Sequence, residues 1–126
     1  MSDETNKYDI GMKVRRQVLG DEHVDRARDA TSAMDRDFQT WITENVWGDL
    51  WARPGLERRE RSLVTIAMLA AAGQDELEIH LRAARNTGAT PEEIAEVLLH
   101  VAVYAGVPAA NHAFGIMKDV YGEELA

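Results

Sequence analysis

Residues 73–100 read GQDELEIHLRAARNTGATPEEIAEVLLH, and two helices can be parsed from this stretch alone. Leu77, His80, Leu81 and Ala84 recur at i, i+3, i+4 and i+7, the spacing of one buried helix face. That spacing predicts a helix from about Asp75 to Thr87, with Gly88 as its left-handed stop. Thr90-Pro91-Glu92-Glu93 then forms a capping box with Pro at the first helical position. The second helix carries Ile94, Val97, Leu98, Val101 and Ala102 on its apolar face and ends at Gly106. His80 is expected to point inward, with Glu76 one turn earlier directly beneath it. An inward acid–imidazole pair is either packing or a site, and the pattern by itself leaves both open.

The same punctuation extends in both directions. Residues 57–72 include Leu63, Val64, Ile66, Ala67, Met68 and Leu69 with hardly any polar face, which predicts a central helix stopped by Gly73. A last helix is expected from Pro108 to about Tyr121. Upstream, WGDLWARPGL (47–56) reads as a turn-rich connection, broken most strongly at Pro54-Gly55. Residues 23–46 look helical, with a break possible near Thr31-Ser32, and a short helix from Ile10 to Leu19 meets Gly20. Residues 1–7 are expected to be a loose end. The expectation is an all-α bundle of about six helices in a single domain spanning 1–126.

Composition narrows the function classes. The chain has 126 residues, long enough for a core but near the size at which association helps. A net charge of −8 repels nucleic acid and anionic membrane on average, so neither is expected as a partner. The absence of cysteine removes disulfides, thiolate metal sites and thiol redox chemistry. The opening MSDETNKYD does not resemble a signal peptide, and LVTIAMLAAAG is shorter than the roughly 20 residues of a membrane span. A cytoplasmic protein is the expectation.

Four arginines, Arg53, Arg58, Arg59 and Arg61, crowd the entry to the central helix of this acidic chain. Cations at a helix N-terminus oppose the macrodipole by about 0.3–1 kcal/mol each when exposed. Either they pair with Glu57, Glu60 or nearby acids, or they form an anion site in which guanidinium forks hold carboxylates. Arg58, Arg61, Thr65 and Met68 share one side of the helix. Trp47 and Trp51, four residues apart, are either core aromatics or the dry wall of a pocket. Tyr104 is open to the same two readings; His23 lies in a helix-start loop, and His100 and His112 have no obvious partner. No metal-binding pair of histidines and no nucleotide or nucleophile-elbow motif is present.

Three ordered blocks, WGDLWARPGLERRERSLVTIAML (47–69), ELEIHLRAARNTGATPEEIAEVLLH (76–100) and YAGVPAANHAF (104–114), resemble the gamma-carboxymuconolactone decarboxylase family. YDIGMKVRRQVLGDEHVDRA (8–27) is similar too, so the resemblance covers nearly the whole chain. It implies an alkylhydroperoxidase D-like helical fold in trimer-based homo-oligomers, often hexamers. It also implies a place in the protocatechuate branch of the beta-ketoadipate pathway. Thiol peroxidases of the wider superfamily carry C-x-x-C ahead of the matching histidine; those places hold Gly73 and Glu76 here. The departure favours the decarboxylase branch.

The implied substrate is a small anionic lactone that supplies its own electron sink, so neither cofactor nor metal is expected. On that resemblance His80 is the candidate proton donor, with Glu76 favouring the protonated imidazole. Arg61 first, then Arg58 or Arg53, would bind the carboxylate that stays. Trp47, Trp51 or Tyr104 would face the one that leaves. The rival expectations are a non-catalytic oligomeric binding protein and a related enzyme acting on another carboxylated substrate.

Overall fold

The computed structural model describes the backbone from residue 6 to residue 125. Every regular element among the described residues is helical: α1 (Lys7–Leu19), α2 (Asp21–Ala30), α3 (Arg36–Ile42), a π-helix (Thr43–Leu50), α4 (Arg58–Ala72), α5 (Leu77–Thr87), α6 (Pro91–Tyr104) and α7 (Val107–Leu125). The chain divides into two compact units, one ending at Leu56 and the other beginning at Glu57.

In the N-terminal unit, α1 starts three residues earlier than its apolar pattern suggested. Asn6 caps it, its side-chain oxygen accepting from Tyr8 N–H at 2.8 Å. The expected loose end therefore covers at most residues 1–5, which lie outside the described residues. Gly20 (φ 92°) ends α1, and the break expected near Thr31-Ser32 separates α2 from α3. What was expected to be a turn-rich connection from Trp47 is instead helical to Leu50. The π-helix widens the turn so that Trp51 N–H reaches Val46 O at 2.9 Å. It packs on α1 backbone to backbone: a Cβ built on Gly11 would stand 1.9 Å from Thr43 O, and one on Gly48 would stand 2.3 Å from Lys7 O. Only glycine permits that approach.

In the C-terminal unit, Ile66 and Ala70 of α4, Leu77 and Leu81 of α5, Ile94 and Leu98 of α6 and Ala113 and Met117 of α7 share one core. Each fully buried Leu or Ile contributes about 1.5–3 kcal/mol. Buried Tyr121 of α7 donates its hydroxyl to Leu81 O at 2.5 Å, and burial pushes that phenol up from its ordinary pKa. The capping box at Thr90 and Glu93 forms as its sequence suggests, and Gly73 adopts the left-handed conformation. The central helix is less enclosed than its sequence suggested: Val64 and Met68 are 50% and 68% exposed in the chain. The helix tally also differs, with seven α-helices and a π-helix against about six.

Candidate functional site

The arginines at the start of α4 divide by the face they occupy. Glu57 and Glu60 form a capping box, in which Glu57 N–H donates to Glu60 Oε1 at 2.9 Å. Those two carboxylates also oppose the unfavourable placement of cations at this terminus. Arg59 forms an ion pair with Glu93 on the first turn of α6. The Thr90 N–H, followed by Arg59, holds the Glu93 carboxyl below its ordinary range. At 100° per residue, Arg58 and Arg61 are turned about 100° and 160° away from Arg59. Both are half-buried, and the Nε of Arg61 is shielded from solvent. Arg59 thus belongs to the scaffold, whereas Arg58 and Arg61 face elsewhere.

His80 lies on α5 at the margin of the face that buries Leu77, Leu81 and Ala84. Its side chain is half-buried, with Nδ1 shielded from solvent. Glu76 departs from the expected picture. The helix begins at Leu77, so Glu76 is its N-cap (φ −63°, ψ −10°), and its side chain is exposed. Its backbone oxygen accepts the His80 N–H at 3.4 Å. The expected inward acid beneath an inward imidazole is therefore a solvent-facing acid beneath a half-buried imidazole.

A buried hydroxyl and a half-buried one join α4 to α5. Ser62 Oγ lies 2.6 Å from Thr87 Oγ1, joining the beginning of α4 to the end of α5. The helices are antiparallel, and the seven residues from His80 to Thr87 amount to about 10 Å along the axis. Arg61 immediately precedes Ser62 on α4, and His80 lies about two turns before Thr87 on α5. The Ser62–Thr87 pair had only a faint signal in the sequence: a serine between the charged first turn of α4 and its apolar run, and a threonine just before Gly88.

Tyr104 is 82% exposed and stacks on His100, with ring centroids 5.1 Å apart and planes 22° apart. The expected packing of Tyr104 is absent within the chain, and His100 has the ring partner that its sequence did not suggest. In the N-terminal unit, Trp47 and Trp51 are each 4% exposed, with centroids 5.2 Å apart and tilted by 30°. Arg53 follows them in an exposed turn. Of the candidate residues, then, Arg58, Arg61, Glu76, His80 and Tyr104 belong to the C-terminal unit, and Trp47, Trp51 and Arg53 to the N-terminal one.

Residues 36–119 match the carboxymuconolactone decarboxylase family. The chain is 47% identical over 122 residues to a 4-carboxymuconolactone decarboxylase of Acinetobacter baylyi, covering 96% of this chain and 90% of that one. It is also 44% identical to the nitrosuccinic acid decarboxylase npaB of Metarhizium robertsii, covering 97% and 90% of the two chains. A 4-carboxymuconolactone decarboxylase sequence of Pseudomonas putida is 49% identical over 47 residues, which is 37% of this chain and 98% of that one.

Proposed function

Because the chain belongs to the carboxymuconolactone decarboxylase family, we propose that it decarboxylates gamma-carboxymuconolactone to the beta-ketoadipate enol-lactone and CO2. The observation that carries this reading is the 47% identity to a 4-carboxymuconolactone decarboxylase along 96% of the chain.

The bond between the ring carbon and its carboxylate breaks, and its electron pair moves through the ring double bond onto the lactone carbonyl oxygen. The resulting enolate then takes one proton on carbon. The substrate is its own electron sink, so the protein must hold an anion, favour the enolate and deliver a proton. His80 supplies that proton, since an imidazole changes charge near neutral pH. Its half-buried place beside the apolar face of α5 limits competition from water. Arg61, with Arg58 on the same helix, binds the carboxylate that stays, a guanidinium fork being matched to that group. An arginine on the departing carboxylate would stabilise the ground state and slow the reaction. The departing group faces an apolar wall, for which Tyr104 is the candidate in the C-terminal unit; Trp47 and Trp51 are each 4% exposed and belong to the N-terminal one. Glu76 stands exposed as the N-cap of α5, one turn before His80.

The enzyme acts as a cytoplasmic homo-oligomer, trimeric or hexameric, in protocatechuate catabolism. Oligomerisation is supported by the apolar groups that the C-terminal unit leaves open, among them Met68 at 68%, Val103 at 77% and Val107 at 69% exposed. No helix among the described residues is long and apolar enough to cross a membrane.

A second reading is favoured by the 44% identity to a nitrosuccinic acid decarboxylase. The logic is the same with a nitro group in place of the lactone carbonyl: the electron pair left by CO2 is taken up as a nitronate. Incubating the purified protein with each acid, while following CO2 release and the ultraviolet absorbance of the lactone, separates the two. Turnover of the lactone with a kcat/KM at least 100-fold above that for nitrosuccinate is expected. The opposite preference would transfer the activity to the nitro acid, and inertness toward both would leave a binding protein.

A further inference from the structure

The N-terminal unit contains a concave site that the decarboxylation chemistry does not use. A cavity of ≈ 270 Å³ is lined by residues of α1, α2, α3 and the π-helix. Three guanidinium groups border it, Arg15 from α1, Arg28 from α2 and Arg36 from α3, and no Asp or Glu does. The chain as a whole has 22 acidic residues against 14 Lys and Arg, so this wall runs against its composition. Like charges gathered at one concavity repel unless an anion lies among them.

Arg15 makes the point most sharply. It is half-buried, and its terminal nitrogens donate to neutral oxygens, Nη1 to Thr43 Oγ1 and Nη2 to Gln39 Oε1, each at 3.2 Å. Its buried Nε has no hydrogen-bond partner among the described residues, and no described carboxylate pairs with the group. A cation drawn partly out of water without a counter-ion is an unfavourable arrangement that a bound anion would relieve. The positive potential also reaches His23, whose pKa is lowered by burial first and then by Arg26 and Arg15. Arg28 already meets Asp25 and Asp29, both at 3.4 Å, whereas exposed Arg36 makes no ion pair among the described residues. Two cations, Arg15 and Arg36, are therefore left without a carboxylate. The cavity volume corresponds to about nine waters at roughly 30 Å³ each. That volume has room for a compact molecule bearing two carboxylates and exceeds one inorganic phosphate.

We propose that this cavity binds a small dicarboxylate between Arg15 and Arg36, at a site separate from the one that contains His80 and Arg61. Neutral donors are at hand in the Thr40 hydroxyl and the Gln39 amide, both of which line the cavity.

Calorimetric titration of the full chain with succinate, at constant ionic strength, tests the site. Saturable binding of one succinate per chain is expected. It should persist in Arg61→Ala and weaken about tenfold or more in Arg36→Gln, the equivalent of one lost charge-assisted hydrogen bond. Arg36 is exposed, so Arg36→Gln should melt like the wild type and keep its turnover in the absence of succinate. Arg15→Gln should abolish binding, and circular dichroism would show whether α1 survives. Three results would overturn the proposal: no saturable heat with succinate, binding lost in Arg61→Ala but retained in Arg36→Gln, or inorganic phosphate binding as tightly as succinate.

Discussion

Ser62 Oγ and Thr87 Oγ1 stand 2.6 Å apart, a contact that ties the arginine-rich start of α4 to the end of α5. Ser62 is fully buried, while Thr87 keeps a second bond to Ala84 O at 3.3 Å. Ser62→Ala should therefore lower stability by about 1 kcal/mol, the net value of a hydrogen bond whose remaining partner stays satisfied. Urea unfolding measures this directly. A loss above about 3 kcal/mol would mean that the pair holds the register far more strongly than one bond can.

Arg61 sits one residue from that contact. Arg61→Lys should raise KM despite conserving charge, because an ammonium cannot reproduce the two-pronged fork. Arg61→Ala should lower kcat/KM by the equivalent of about 1.5–3 kcal/mol, the range for a hydrogen bond to a charged group. An unchanged kcat/KM in Arg61→Ala would reduce the arginine to a surface charge.

Gly11→Ala is expected to be among the most damaging single-methyl changes in the chain. The new Cβ would meet Thr43 O at 1.9 Å and Gly48 N at 2.9 Å, and both are backbone atoms that cannot swing aside. Overpacking of this kind costs typically 1–3 kcal/mol and occasionally more. Differential scanning calorimetry should show a lowered or broadened transition, and a wild-type melt would contradict the close approach of α1 to the π-helix.

That approach also marks the limit of what the residues reveal in order. Helices α4 to α7 were legible because Gly73, Gly88 and the Thr90–Glu93 box are local signals, and because apolar spacing of 3.6 dominates where one core is shared. The π-helix was not legible, since its wider turn matches no usual period and Trp47-Gly48-Asp49-Leu50 resembles a turn. In the candidate site, the half-buried placement of His80 could be glimpsed from its neighbours Leu77 and Leu81. The exposure of Glu76 could not, because it depends on where α5 begins, and a shift of one or two residues changes a helical acid into a cap. The pairing of Arg59 with Glu93 joins residues 34 apart in sequence, beyond any local pattern.

His23 should make stability sensitive to pH near neutrality. Its pKa is lowered in the folded chain, chiefly by burial and then by Arg26 and Arg15. The unfolded chain thus takes up a proton first as pH falls through the ordinary histidine range. Folded stability is lost from there down through the lowered folded pKa, and is fully retained above the ordinary value. Melting temperature should fall as pH drops through and below the ordinary histidine range, and it should fall less in His23→Gln. Identical pH profiles for the two proteins would rule out this linkage.

The most direct test of the mechanism is the turnover of His80→Gln on gamma-carboxymuconolactone, measured beside its melting curve. Glutamine occupies similar space and retains a hydrogen-bonding head, so the variant should fold as the wild type does. If His80 delivers the proton, kcat should drop by about 10²–10⁴, the usual contribution of a placed general acid. In deuterated water the wild type should then place deuterium on one face of the carbon next to the lactone carbonyl, and the variant on both. A His80→Gln protein that melts at a lower temperature yet turns over at a near-normal rate per folded molecule would contradict that role and return His80 to the packing of α5.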